Sequence, residues 1–379
     1  MAGGDGEDEW FLESIKLYKD LHVFELQDPT RVIEWTGEKN ICVAGYESLK
    51  RNEILQLLLP QKLYVKENQG LCPERDFKVE HGGFSDWPVY SLKHLPNTSL
   101  LLTSGPGENA IQVWEMATED SDVIKPISNI YAGGKGENHW TKIATTSTNS
   151  SWVLHGSEVN NIHITEVESK KSMYKLGVNS SDAVSNLNFL DFCTFLVCTV
   201  KGQLYLADTR EAQNAVKNAA APSSLSGERW CMGVKHELQG VSTAGPSVAS
   251  LSSEGRMTLT DVRNISIPVK KANCRIEEPS SNWGLMCVAW APLLDDCLSV
   301  SGFNGTVQIY DSKAWHMTAE DVEPIFVHKG HAITCSGEAG DALLVTAHVW
   351  HPCKPRTLLS SASDGSLHVW DWREIQSTD

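Results

Sequence analysis

The sequence has no apolar run long enough to cross a membrane, which takes roughly 20 consecutive apolar residues. Its first ten residues, MAGGDGEDEW, are acidic and lack the apolar core of a secretory signal peptide. These absences argue against a membrane-spanning or secreted protein. We therefore expect a soluble, intracellular chain located in the cytoplasm, in which residues 1–9 form an acidic disordered tail.

Clustered positive charge is also missing. The chain has 32 Lys and Arg against 48 Asp and Glu, a formal net charge of −16. Its densest basic spots, Lys50-Arg51 and Lys170-Lys171, lie in predicted turns beside acidic residues. Because binding to nucleic-acid phosphates takes clustered Lys and Arg, we expect no direct nucleic-acid partner. A protein that recognises phosphorylated or otherwise modified peptides would need a basic or caged pocket. Because the chain is acidic, we consider this function less favoured than a general protein-binding scaffold.

The chain contains ten cysteines but no C-x-x-C pair. The closest spacing, Cys193 and Cys198, lies in the apolar run FCTFLVC, where buried free thiols are common. Ligation of zinc typically uses closer cysteine pairs. We expect reduced cysteines in the core, no bound metal and no other cofactor.

Sequence patterns that carry catalysis are absent as well. No H-E-x-x-H or G-x-S-x-G occurs, and the run at residues 133–136, GGKG, lacks the spacing and the Ser or Thr of a phosphate-binding loop. The best match to the S-x-D-x-G-x-x-W turn of sialidase-like propellers has Ala362 where the first Ser should stand. An enzyme is therefore the minority hypothesis, and we predict no catalytic residues.

The most informative stretch lies near the C-terminus. Residues 357–372, TLLSSASDGSLHVWDW, predict two strands joined by a tight turn at Asp364-Gly365. The second strand ends in Trp370-Asp371, and the dipeptide Gly330-His331 lies upstream. This order of GH, strands, turn and WD resembles one blade of the WD40-repeat family.

One blade cannot bury both of its faces, so a single match predicts further copies. The turn and last strand recur in GFNGTVQIYD, residues 302–311, and five degraded copies lie further upstream. Seven copies predict an all-β fold, a single seven-bladed β-propeller over residues 10–379, in place of the two or three domains that length alone suggests.

Three segments fall outside the repeat. Residues 10–21, WFLESIKLYKDL, have apolar residues at helical spacing, which predicts an N-terminal helix that caps the propeller edge or, alternatively, binds a partner. The alternating residues 22–26 predict a strand that completes the last blade and closes the ring. The Ala- and Ser-rich span 211–226 predicts a mobile surface loop.

The resemblance to the WD40-repeat family covers nearly the whole chain. Runs such as ERDFKVEHGGFSDW and WHPCKPRTLLS are similar to one animal group within that family. This resemblance implies protein partners, namely the endonuclease-type cleavage subunits of the Integrator complex and microtubule-associated proteins at mitotic spindle poles. It also implies a structural hydrogen-bonded tetrad of His331, Ser360, Asp364 and Trp370.

Four tryptophans repeat at one position of the pattern. Each precedes an apolar strand by a few residues, which places it in the loop entering the innermost strand of a blade, on one rim of the ring. Trp is enriched among interface hot spots, although an indole packed against its own loop is the alternative for each. We predict a protein-binding surface flanked by Phe84, Trp87, Trp140, Glu228, Arg229, Trp230 and Trp283.

Overall fold

The structure of the protein is a computed structural model. It describes residues 16–47, 50–60, 76–107, 110–116, 121–133, 140–146, 149–213, 215–219, 222, 227–235, 246–280, 282–333 and 343–373. The predicted acidic tail and the first six residues of the predicted N-terminal helix lie outside these ranges. Within them, no helix is long and apolar enough to cross a membrane.

The strands form seven sheets, each with four strands paired antiparallel, and one sheet has a fifth strand paired parallel at its edge. Blade 1 consists of β2 (Thr30–Trp35), β3 (Asn40–Gly45), β4 (Asn52–Leu58) and β5 (Lys78–Ser85). Blade 2 consists of β6 (Ser91–His94), β7 (Leu100–Ser104), β8 (Ala110–Glu115) and β9 (Lys125–Tyr131). Blade 3 consists of β10 (Lys142–Thr146), β11 (Asn149–Gly156), β12 (His163–Glu166) and β13 (Ser172–Lys175).

The remaining blades follow the same plan. Blade 4 consists of β14 (Val184–Phe189), β15 (Thr194–Thr199), β16 (Leu204–Asp208) and β17 (Lys217–Ala219). Blade 5 consists of β18 (Trp230–Lys235), β19 (Ser247–Ser252), β20 (Arg256–Asp261), β21 (Pro268–Cys274) and the added β25 (Asp321–Val322). Blade 6 consists of β22 (Cys287–Trp290), β23 (Cys297–Ser301), β24 (Val307–Asp311) and β26 (Phe326–His328). Blade 7 consists of β27 (Val345–Trp350), β28 (Thr357–Ala362), β29 (Ser366–Trp372) and β1 (Tyr18–Glu25).

The seven-bladed propeller predicted from the repeats is confirmed. The described helices are the four-residue α1 (Gly330–Ile333), the helical residues 16–17 and the 3-10 turns at Val159–Asn161, Val262–Asn264 and Trp283–Leu285. The span 211–226 contains β17, and its residues 214, 220, 221 and 223–226 lie outside the described ranges. Its mobility stays a prediction.

The core lies between the blades. Seven apolar clusters each join two neighbouring blades, so that every interface in the ring has its own core. The second strand of a blade has both faces covered, which is why β15 reads TFLVCT and every residue of β28 is buried. The stability of the fold therefore depends on sheets packed face to face around a closed circle.

Strand β1 closes that circle. It pairs antiparallel with β29, from Leu21 opposite Trp370 to Glu25 opposite Ser366. The predicted closing strand is confirmed, but the prediction of a helix as far as residue 21 is wrong because β1 already begins at Tyr18. Pairing with the free edge of β29 overrides the helical spacing of this segment.

A second edge is covered by an insertion in blade 6. The connection between β24 and β26 crosses to blade 5, where β25 pairs parallel with the outer strand β21. Within this connection Trp315 packs into the core cluster between blades 5 and 6. The insertion therefore ties two neighbouring blades together and shields an edge that other chains could pair with.

We predict that deleting residues 1–27 prevents stable folding. The deletion removes β1, leaves the edge of β29 unpaired and exposes the core that Tyr18 covers. We expect an insoluble protein or one without a cooperative thermal unfolding transition, measured by circular dichroism. Deletion of residues 1–8 is the control and should leave the transition intact. A monomeric, cooperatively melting product of the longer deletion would show that β1 is not needed for closure.

Candidate protein-interaction face and channel mouth

The first strands of the blades line the central channel. β2, β6, β10, β14, β18, β22 and β27 contact one another in sequence around the ring, and β27 returns to β2. Since every blade repeats the same strand order, the residues preceding these strands share one face of the ring, which we call the upper face. The four predicted tryptophans precede or begin such strands and therefore lie on this face.

Phe84 and Trp87 are the exposed aromatic residues of the predicted surface. Their side chains are 51% and 43% exposed. The guanidinium of Arg51 lies 5.4 Å from the ring centre of Phe84 and pairs with Asp86 at 2.8 Å. Exposed aromatic rings beside a solvated ion pair are the composition that protein interfaces favour.

Trp230 and Glu228 are buried, at 1% and 6% exposure. Trp230 packs over Gly202, whose φ of +84° forms a tight turn and where an added Cβ would lie 2.8 Å from the indole. Glu228 accepts a hydrogen bond from Nε of Arg256 at 2.8 Å. Burial removes both side chains from the exposed surface. The contact with Gly202 packs the indole against the turn between β15 and β16 of blade 4, a neighbouring blade and not its own. Arg229 between them is exposed.

Trp140 and Trp283 are partly buried and lie at the mouth of the channel. Arg31 spans this mouth: its guanidinium lies 3.8 Å from the ring centre of Tyr90 and 5.1 Å from that of Trp140. Its Nη2 donates a hydrogen bond to the carbonyl of Gly284 at 2.5 Å. Blades 1, 2, 3 and 6 therefore meet over the channel.

The channel encloses a cavity of about 480 Å³ lined by residues of all seven blades. Lys93 and Glu34 pair across its wall at 2.7 Å. Burial raises the pKa of the Cys287 thiol to about 11 and that of Cys231 well above its usual value. Both thiols therefore stay protonated at neutral pH, and neither is an activated nucleophile.

Sequence reasoning missed Arg31, Tyr90 and Lys142 at this mouth. Each lies at the start of an innermost strand, the same position in the repeat that selected the tryptophans. That shared position was the available signal, because it places side chains on the upper face whatever their type. Tyr46 extends the aromatic group, with its ring centre 6.2 Å from that of Tyr90.

The four predicted tetrad residues are linked in blade 7. Nε1 of Trp370 donates to Oγ of Ser360 at 3.1 Å, and Ser360 Oγ lies 2.8 Å from Nε2 of His331. On its other side, Nδ1 of His331 lies 2.7 Å from Oγ of Ser366, which donates to Asp364 at 2.6 Å. Ser366 is thus a fifth member that the sequence comparison did not include.

Two further histidines extend this network toward the closing strand. Nε2 of His328 lies 3.1 Å from Nδ1 of His368, and the ring of His368 stacks on His331 at 3.8 Å. The hydroxyl of Tyr18 in β1 lies 2.7 Å from Nδ1 of His328, whose ring stacks on Trp370 at 4.5 Å. The hydrogen-bonded network therefore crosses the seam at which the ring closes.

The three histidines also have the proximity that a metal site requires. One nitrogen of each ring lies within 4.8 Å of the others. However, both nitrogens of His331 face serine hydroxyls and both of His328 have hydrogen-bonding partners. In the described part of the chain, Nε2 of His368 is the one nitrogen of this trio that is buried without a partner. Hydrogen bonds within the protein therefore occupy most of the ring nitrogens that a metal ion would need.

A closed ring of seven blades, each built on four antiparallel strands, with a Trp-Ser-His network ending at a turn aspartate, defines a β-propeller of the WD40 class. No family model matches the sequence. Over 365 residues the chain is 53% identical to "Integrator complex assembly factor WDR73" of Xenopus laevis, covering 96% of this chain and 98% of that protein. The proteins of the same name from Mus musculus and Homo sapiens are 48% and 47% identical, each over 98% of this chain and 99% of their own length. The chain belongs to this WDR73 family.

We predict that Asp364→Ala lowers the free energy of unfolding by about 1 to 3 kcal/mol, because the variant removes the acceptor of Ser366 at the end of a buried network. Chemical denaturation with urea measures the loss. Asp364→Asn, which keeps an acceptor oxygen, is the matched control and should lose less. Equal stability of the alanine variant and the parent protein would contradict a structural role for this carboxylate.

We predict that acid destabilises the protein through these histidines. Burial lowers the pKa of His368 to about 4 and holds those of His328 and His331 well below the ordinary value, with their mutual repulsion adding to the shift. The unfolded chain takes up protons below a pH of about 6.5, whereas the native rings stay neutral. The contribution of these histidines to the free energy of unfolding is therefore fully present above about pH 7, and it declines as the pH falls from about 6.5 toward 4.

Each such imidazole contributes up to about 1.4 kcal/mol per pH unit in that window. The free energy of unfolding in urea, measured at pH 7.5, 6.5 and 5.5, should decline with a steepening slope. His328→Phe, which removes one of the buried bases, should decline less steeply whatever its stability at pH 7.5. A constant free energy across this range would show that the histidines are not protonation-sensitive.

Proposed function

We propose that this protein is a non-enzymatic scaffold that takes part in assembling the Integrator complex by binding its endonuclease-type cleavage subunits. The observation that carries the proposal is near-full-length identity of 47 to 53% to proteins named as Integrator complex assembly factors. At this level of identity the surface as well as the fold is expected to be shared. The proposal includes a cytoplasmic location, where a partner could be bound before it enters its complex.

The upper face is the part of the molecule that we assign to the partner. A rigid ring holds Phe84 and Trp87 half exposed, although water contact with large aromatic rings is unfavourable and their burial against a partner would stabilise a complex. The neighbouring Arg51 and Asp86 supply a polar rim. Because the blades are fixed by seven cores, binding requires little rearrangement of the scaffold.

The chemistry of the channel supports a scaffold over an enzyme. The thiols of Cys231 and Cys287 are held protonated by burial. His348 is hydrogen bonded to Ser299 and Ser301, each at 2.7 Å, and burial lowers its pKa to about 4. These groups are arranged as packing elements and not as a nucleophile with its base. Association with microtubule-associated proteins at spindle poles is a separate proposal that rests on the family resemblance alone.

We predict that the double variant Phe84→Ala, Trp87→Ala loses the cleavage subunits. Truncating a pair of hot-spot aromatics typically costs at least about 2 kcal/mol, or roughly 30-fold in Kd. The measurement is capture of co-expressed cleavage subunits on the immobilised protein, followed by titration. Since both side chains are exposed, the melting temperature should not change.

Two matched variants separate binding from folding. Tyr131→Ala removes an aromatic ring that is 75% exposed on the outer strand β9 and should bind normally. Trp230→Ala removes a fully buried indole and should instead lose about 3 to 5 kcal/mol of stability. Normal capture by the double variant would show that Phe84 and Trp87 are not part of the interface. Failure of the parent protein to capture any cleavage subunit would overturn the Integrator proposal itself.

A further inference from the structure

Two basic side chains face each other at the channel mouth without an acidic partner in the part of the chain that the structure describes. Nζ of Lys142 lies 3.0 Å from the ring centre of Trp140, over which Arg31 also lies. Among the residues that the structure describes, no carboxylate pairs with Lys142 or with Arg31. The remaining charged pair of this cavity, Lys93 with Glu34, is already neutralised.

Such an arrangement is unfavourable by itself. Burial holds the pKa of Lys142 well below its usual range, and the positive charge of Arg31 lowers it further. The aromatic ring of Trp140 attracts a cation but supplies no counter-charge. Buried basic groups in proteins are normally paired with an acidic group, so two of them with no carboxylate partner among the described residues, in a chain of net charge −16, require an explanation.

The mouth also offers a neutral donor. Nε1 of Trp140 is buried and has no acceptor among the described residues. Arg31 is held in place by the carbonyl of Gly284 and by the ring of Tyr90, so its guanidinium is fixed before any ligand arrives. Guanidinium, ammonium and indole N–H groups are all donors without acceptor capacity, and together they match the oxygens of an anion.

We propose that the channel mouth on the upper face is an oxyanion-binding site, in which Arg31, Lys142 and the indole N–H of Trp140 hold a carboxylate or phosphate group. Two sources share this chemistry: a free phosphate ion and an acidic side chain of a bound protein segment. The cavity of about 480 Å³ has room for either group. This proposal does not depend on the Integrator proposal, because it concerns the chemistry of the ligand and not the identity of a partner.

The first experiment compares binding to the full-length protein and to three variants. Isothermal titration uses inorganic phosphate in one arm and a capped Asp- and Glu-rich peptide in the other. Lys142→Met, which removes the charge but keeps the length of the side chain, should weaken binding at least about tenfold. Lys142→Arg should retain binding. Lys93→Met combined with Glu34→Gln is the control, since it removes both charges of the neutral pair that lines the same cavity, and it should bind like the parent protein.

Two further readouts distinguish a ligand site from a structural lysine. Without ligand, Lys142→Met should melt at the same or a higher temperature than the parent protein, because it replaces a buried amine that has no acidic partner among the described residues by an apolar side chain. Binding should also take up protons, because an anion restores the charge of Lys142. This uptake is measured as a dependence of the titration heat on the ionisation enthalpy of the buffer.

The variant Trp140→Phe tests the indole donor. It keeps an aromatic ring, removes the N–H donor and should weaken binding without affecting folding.

Each outcome decides the proposal. Binding of phosphate assigns the site to the free ion, and binding of the peptide alone assigns it to an acidic protein segment. If the parent protein binds neither probe, or if Lys142→Met binds as tightly as the parent, the proposal is wrong. Failure of the parent protein to capture any cleavage subunit, with anion binding retained, would overturn the Integrator proposal and leave this one standing.

Discussion

The pairing of β1 with β29 is the contact on which the rest of the structure depends. Without it, blade 7 would have a free edge and its neighbouring core would be open to water, so the ring could not close. Each interface has its own apolar cluster, but a ring with a gap loses the constraint that holds every blade in place. The N-terminal strand β1 therefore holds the ring closed.

The chemistry of the seam reflects this role. Tyr18 brings its hydroxyl from the N-terminal strand to His328, and His328 connects to His368 beside the hydrogen-bonded network of blade 7. Buried neutral imidazoles maintain this connection only while they remain unprotonated. The closure of the ring and the protonation state of its histidines are thus coupled. The hydrogen-bonded network of blade 7, a feature of the repeat, therefore also stabilises the contact between the N-terminal strand β1 and the C-terminal blade.

The upper face combines two kinds of surface that serve different purposes. Phe84 and Trp87 lie exposed and suit an apolar contact with a partner. Further inward, Arg31 and Lys142 place two basic side chains at the mouth of the channel in a protein that is otherwise strongly acidic. A partner segment that covered the aromatics and inserted an acidic group would use both, and the rigid ring would present them together without rearrangement.

The sequence by itself determined the number of blades and the strand that closes the ring, because turn residues, spacing and strand alternation are local properties that repeat along the chain. It could not separate Trp87 from Trp230: both precede or begin an innermost strand, yet one is 43% exposed and the other 1% exposed. Only packing decides this, since the environment of an indole is set by residues distant in the chain. The channel mouth could not be predicted for the same reason, because Arg31 donates to the carbonyl of Gly284, which is 253 positions away in the sequence. Tertiary pairing likewise made a strand of residues 18–21, whose spacing is helical, because the unpaired edge of β29 stabilises extended backbone there.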